Sequence, residues 1–325
     1  MQNIASTLNP IATPIATPIV AVIGTGGTIA GTAASAADNV GYTAAQLGVA
    51  SLVAAVPALA GQALESEQVA QLDSKDMDFA TWQRLAQRVA FHLARDEVAG
   101  VVITHGTDTL EETAYFLHRV LAPRKPVVLT AAMHPATSLL ADGPQNLLDA
   151  VGVARHAEAC GVLAVIGGAV HRAADVRKRH SYHLDAFGSG DAGPVAWVEE
   201  GALRVVGAWP QGDALGLDTI VRPVAQWPRV DILMSHTAID GAIVQALVAL
   251  GARGVVVAGT GNGTVHHALE AALRSAQDQG VRVLRSTRCA EGAVVGAPVG
   301  ALPSAGVLSP VKARVALLLE LLAAP

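Results

Sequence analysis

Residues 19–31 read Ile19-Val-Ala-Val-Ile-Gly-Thr-Gly-Gly-Thr-Ile-Ala-Gly31. A β-branched, apolar run from Ile19 to Ile23 breaks into a turn built from Gly24, Gly26 and Gly27, the pattern of a buried strand that ends in a tight loop. Glycines there admit positive φ and let a ligand approach the main chain closely. Thr25 and Thr28 place two hydroxyls at the mouth of the loop. A dinucleotide-binding fingerprint would need Gly or Ala where this chain has Ile29, and a phosphate loop would need a Gly-Lys-Ser/Thr ending that is absent. Taken alone, the stretch is a hydroxyl-bearing βα turn.

Working outward, residues 31–41 are small and polar and read as a mobile loop ending at Tyr42. Phe79, Trp82, Leu85, Val89 and Leu93 recur at helical spacing over 78–95. Gly100 to Thr104 is a second buried strand that stops at His105-Gly106-Thr107-Asp108. A helix follows, with Leu110, Ala114, Leu117 and Leu121 on one face, and Asp108 with Glu111 has the form of a capping box. Strand, helix and strand continue at 126–132, Pro144 to Ala159, and 162–166. Such alternation predicts an α/β fold with a mostly parallel sheet flanked by helices. Residues 171–191, polar and rich in His, Arg and Gly, read as a long loop. Pro210, Pro223 and Pro228 mark a linker, after which a smaller α/β unit begins. Its strands are expected at 230–234, 254–258 and 281–284 and its helices at 240–250 and 264–279, with a last helix opened by Ser309-Pro310. The expected organisation is a flexible tail at 1–18, an N-terminal catalytic domain at 19–205, a linker at 206–228 and a smaller C-terminal α/β domain at 229–325.

Composition narrows the function. The 325 residues are 51% hydrophobic with mean hydropathy +0.41, but the surplus is mostly Ala, Val and Leu. No uninterrupted apolar stretch approaches the roughly 18–20 residues of a membrane span. A net charge of −5 argues against a nucleic-acid partner. Cys160 and Cys289 cannot build a disulfide framework and read as structural thiols. The first 18 residues lack a basic n-region and are interrupted by Pro14 and Pro18, so a cytoplasmic protein without a secretory signal is expected.

In a parallel α/β sheet, ligands bind beyond the carboxyl ends of the strands. Gly24–Thr28, His105–Asp108 and Gly259–Gly263 fall there, and the first two bring Thr25, Thr107 and Asp108 to one crevice. Asp108 is either a plain N-cap or a charge at a helix start, where the dipole also favours an anion. A threonine hydroxyl attacks only after a base removes its proton. His105, His134 and His171 fit no Ser/His/Asp pattern and read as hydrogen-bonded loop residues. The lysines are Lys75, Lys125, Lys178 and Lys312, and Lys178 is either the base or a solvated loop charge.

Two segments go further: Thr25-Gly-Gly-Thr-Ile-Ala-Gly31, and Thr104-His-Gly-Thr-Asp-Thr-Leu-Glu-Glu-Thr-Ala114. They resemble the two signature motifs of the bacterial-type L-asparaginase and glutaminase-asparaginase family. The similarity extends through Asp175-Val-Arg-Lys178, Gly259-Thr-Gly-Asn262-Gly and Arg285-Ser-Thr-Arg288. The resemblance implies hydrolysis of L-asparagine to L-aspartate and ammonia with no metal or organic cofactor. It implies Thr25 as nucleophile, Tyr42 as the residue that orients or activates it, and a triad of Thr107, Asp108 and Lys178. A lysine buried beside Thr107 would have its charged form disfavoured and could accept a proton. Asp108 would hold the substrate α-ammonium and Ser74 its α-carboxylate. Asn262 would approach the site of a neighbouring subunit in a homotetramer built from close dimers. Two positions depart from the family pattern. Lys75 stands where Gln or Glu is usual, and Pro298 stands where a glutamate reaches the ammonium from the adjacent subunit, with only Glu291 nearby. Both changes are expected to weaken recognition of that ammonium, unless Lys75 pairs with Asp73 or Asp76 and Glu291 fills the missing role. The remaining alternatives are glutamine or an amide on a larger molecule as substrate, and a non-catalytic protein that binds a small metabolite.

Overall fold

The computed structural model describes residues 17–296 and 299–324, so the expected tail, except its last two residues, and Pro298 lie outside the described residues. The opening apolar run becomes β1 (Ile19–Gly26), buried from Val20 onward. It is followed by α1 (Val49–Ala54), β2 (Leu64–Leu72), α2 (Phe79–Leu93), β3 (Val98–Thr104), α3 (Leu110–Leu121), β4 (Val127–Thr130), α4 (Gly143–Arg155) and β5 (Val162–Ile166). These strands pair in parallel in the order β2-β1-β3-β4-β5. Helices cover both faces, which is why β1, β3, β4 and β5 are nearly continuous runs of Val, Ile and Leu.

Beyond β5 the sheet turns antiparallel. β6 (Ala169–Arg172) leads into a small hairpin, β7 (Arg177–Lys178) with β8 (Phe187–Gly188), and then β9 (Ala196–Glu199) and β10 (Ala202–Val205) complete eight strands. Residues 171–191, expected as loop, are therefore partly ordered by β-pairing, with Lys178 opposite Phe187. Glu200 and Gly201, at φ 48° and 75°, make the two-residue turn between β9 and β10.

The second unit matches the expected order: β11 (Arg229–Met234), α5 (Ala242–Ala249), β12 (Ala252–Gly259), α6 (His267–Asp278), β13 (Arg282–Thr287) and α7 (Pro310–Ala323). Its three strands form a separate parallel sheet, β11-β12-β13. Ser309 caps α7 by accepting the Lys312 N–H. That helix packs on α3 as well as on its own sheet, and its leucines join the core that holds Phe116, Trp82 and Trp227. The 206–228 stretch is irregular but packed: Ile220 and Trp227 are buried, and the Gln83 amide donates to the Ile220 carbonyl.

Candidate active site

β1 and β3 are adjacent, so the loops at their carboxyl ends meet. The meeting is backbone against backbone. A Cβ on Gly27, at φ 83°, would fall 2.3 Å from the Gly106 Cα, and one on Gly106 would fall 2.4 Å from the Ser74 Oγ. Only glycine fits at either point. Ser74, in the turn after β2, is buried and accepts the Asp108 N–H at 3.2 Å, while its carbonyl accepts the Thr109 hydroxyl at 2.8 Å.

Into this floor the β7–β8 hairpin delivers Lys178. Its Nζ donates to the Thr107 Oγ1 at 2.8 Å and to the Asp108 Oδ1 at 2.6 Å. The Lys178 side chain is mostly buried, whereas that of Asp108 is 51% exposed. The capping-box expectation is corrected here. Thr109, not Asp108, is the N-cap of α3, and it makes no side-chain cap bond. The Asp108 carboxylate turns instead to a cation 70 residues away in sequence, a charge-assisted bond. The Glu111 carboxylate goes to the Lys178 backbone, accepting its N–H at 3.3 Å, and burial pushes that carboxyl up from its ordinary value.

The two threonines of the first motif part company. Thr25 is the penultimate residue of β1, and its hydroxyl donates sideways to the Thr104 carbonyl of β3 at 2.9 Å, at 1% exposure. Thr28 lies past the turn, and its Oγ1 is 2.7 Å from the Tyr42 hydroxyl. The tyrosine ring sits close over Gly31, where a Cβ would come within 2.9 Å of it. The expected pairing of Tyr42 with Thr25 is thus corrected to Tyr42 with Thr28. The cause is local: Thr25 sits at the irregularity between Gly24 and Gly26 at the end of β1, where the Thr104 carbonyl takes its hydroxyl, whereas Thr28 lies past the turn beside Tyr42.

Other expected residues make no hydrogen bond to the Thr107, Asp108 and Lys178 side chains. Lys75 Nζ sits 2.5 Å from the Asp73 Oδ2 and 3.8 Å from Asp76, and the Asp73 hydrogen bond raises its pKa. Both ends of the Asn262 amide are held by the Val295 backbone at 2.7 Å, and none of its bonds reaches the Thr107–Lys178 cluster. Glu291 is exposed. His105, His134 and His171 bond to Gly106, Leu140 and Ser189 respectively, outside the cluster. No group of three or more His, Cys, Asp or Glu among the described residues is arranged to hold a metal ion. Sequence reasoning passed over Thr28, although it shares the motif with Thr25, because only the strand end separates their environments.

Comparison with known proteins places the chain in a family. Residues 19–210 match the family described as asparaginase, N-terminal, and residues 229–324 match the glutaminase/asparaginase C-terminal domain. L-asparaginase 2 of Bacillus subtilis is 38% identical over 306 residues, covering 92% of this chain and 81% of that protein. Glutaminase-asparaginase of Pseudomonas fluorescens is 36% identical, covering 90% and 81%. The crystal structure of a probable cytoplasmic L-asparaginase from Campylobacter jejuni superposes with a TM-score of 0.87 at 38% identity, covering 94% of this chain and 95% of that one. With both domain families matched in order and the relatives aligned over most of their length, this chain belongs to the asparaginase family.

Proposed function

We propose that the protein hydrolyses the side-chain amide of L-asparagine to L-aspartate and ammonia, with Thr28 as nucleophile and Thr107, Lys178 and Asp108 as the triad that handles protons. One observation carries this reading. Lys178 bridges Thr107 and Asp108, and their loop abuts, at Gly27 and Gly106, the loop that bears the Thr28–Tyr42 hydroxyl pair. A threonine oxygen becomes nucleophilic when a neighbour takes its proton, and the Tyr42 oxygen at 2.7 Å is placed to do so. Thr25 is a weaker candidate, because its proton is directed at a buried carbonyl.

Thr28 would attack the amide carbon, ammonia would leave with a proton relayed through the cluster, and water would hydrolyse the resulting ester. Backbone N–H groups of the two loops would stabilise the tetrahedral oxyanions. Asp108 offers Oδ2, which makes no hydrogen bond among the described residues, to the α-ammonium. The buried Ser74 Oγ lines the same floor and would receive the α-carboxylate. We propose weaker ammonium recognition than the family norm, with position 75 contributing little because Asp73 already offsets the Lys75 charge.

Glutamine is the second reading, favoured by relatives named glutaminase-asparaginase. One methylene separates the two amides by only about 1–3 kcal/mol in a pocket. We also propose a homotetramer built from close dimers, supported by the exposed loop on which Asn262 is held away from its own cluster. We propose 19–205 and 229–325 as the two domains, joined by 206–228. A cytoplasmic location is supported by the Campylobacter neighbour's name, while a Haemophilus influenzae relative is named periplasmic. The functional test is ammonia release by the purified protein from L-asparagine and, separately, from L-glutamine. Asparagine turnover that saturates supports the reading, and a folded protein that releases ammonia from neither amide overturns it.

A further inference from the structure

Lys178 does not hold its place through its own side chain alone. Lys312, in the first turn of α7, is fully buried, and its ammonium donates to the carbonyls of Ala174 (2.9 Å) and Val176, the turn that leads directly into β7. From the other side, Glu111 of α3 accepts the Lys178 backbone N–H, and its second oxygen has no hydrogen-bond partner among the described residues. Glu111 and Lys312 also attract one another. Arg177, next to Lys178, donates to the carbonyls of Ala290 and Val307. The backbone that carries the triad lysine is therefore clamped between α3, which begins immediately after the Thr107–Asp108 loop, and α7, which belongs to the smaller unit.

A buried lysine and glutamate are costly to desolvate, and an apolar pair of similar volume would serve stability as well or better. What an apolar pair cannot do is fix three backbone groups around one residue. We infer that Glu111 and Lys312 are positioning residues that set the height of Lys178 over Thr107 and Asp108, and so couple the smaller unit to the proposed amide hydrolysis. The inference rests on the functional reading above for its kinetic consequence but not for its structural one.

Two measurements separate the two. The first is hydrogen–deuterium exchange of the 174–179 amides without substrate, in the wild type, Lys312→Met, Lys312→Arg and the double variant Glu111→Gln/Lys312→Met. The second is the kcat and KM of the same proteins for L-asparagine. Removing one partner leaves an unpaired buried charge, so a single variant that unfolds is uninformative; the double variant removes both charges and keeps the test open. Expected in the folded double variant are exchange of 176–179 at least about tenfold faster and kcat lower by about tenfold to a hundredfold at KM within about twofold, the signature of a misplaced reacting group. Lys312→Arg should recover part of both. Wild-type exchange and kcat in a folded double variant would overturn the inference, as would a loss confined to KM. Altered exchange in a protein whose wild type turns over no amide would uphold the clamp and discard the functional reading.

Discussion

At the scale of single residues, two threonines three positions apart differ in environment, because the Thr25 hydroxyl is tied to the Thr104 carbonyl of the neighbouring strand while that of Thr28 meets the Tyr42 hydroxyl. Thr25→Ala removes a buried hydroxyl that donates to the Thr104 carbonyl, and should lower stability by about 1–3 kcal/mol in chemical denaturation while leaving substantial turnover. Lys75→Gln should lower KM for L-asparagine by no more than about threefold, since an exposed ion pair has little influence on its surroundings. An unchanged or higher KM would remove Lys75 from the account of weakened ammonium recognition. The candidate residue types were legible in the sequence, and the structure brings Thr107, Asp108, Lys178, Ser74 and Tyr42 around two adjoining loops. What it could not display was long-range partnering. Asp108 with Glu111 has the local form of a cap, and nothing nearby in the chain announces that a lysine 70 residues on will claim the carboxylate. Lys312 was equally hidden, as a single cation at the start of an apolar helix.

At the scale of elements, the contact between Gly27 and Gly106 holds the two motif loops together. Gly27→Ala adds a methyl group 2.3 Å from the Gly106 Cα at a φ of 83°, and should lower stability by at least about 3 kcal/mol and abolish turnover even where the protein stays soluble. A normal melting temperature with wild-type kcat would refute the close packing of the loops. Elements buried on both faces were readable from composition alone: β5 falls at 162–166 as expected, and the order of the second unit is reproduced. Edge elements were not. β2 reads Leu-Glu-Ser-Glu-Gln-Val-Ala-Gln-Leu and β10 is largely exposed, because an edge strand facing water has no need of an apolar run. The β7–β8 hairpin was hidden for a related reason, since two paired residues leave no periodicity to detect.

At the scale of the whole molecule, stability should depend on acid in a stated direction. Burial holds His105 and His171 at about 4, well below the ordinary imidazole value of 6.5. As pH falls below that value the unfolded chain takes up these protons first, so stability present above pH 6.5 is lost progressively toward pH 4, by up to about 3 kcal/mol per histidine. The melting temperature should fall between pH 7 and pH 5, and His171→Gln should shrink the drop. An equal drop in the variant would contradict the assignment. The two units share one core through α7, so unfolding should be a single transition and not two. In the proposed reading, the Thr28–Tyr42 pair, on the loop that abuts the one bearing Thr107 and Asp108, breaks an amide bond. The most direct test is the initial rate of ammonia release from L-asparagine by Thr28→Ala and Thr25→Ala, at matched concentrations of folded protein. The account predicts that Thr28→Ala loses at least about a thousandfold in kcat while Thr25→Ala retains most of its rate. Full activity in Thr28→Ala, with the loss falling on Thr25→Ala instead, would contradict it.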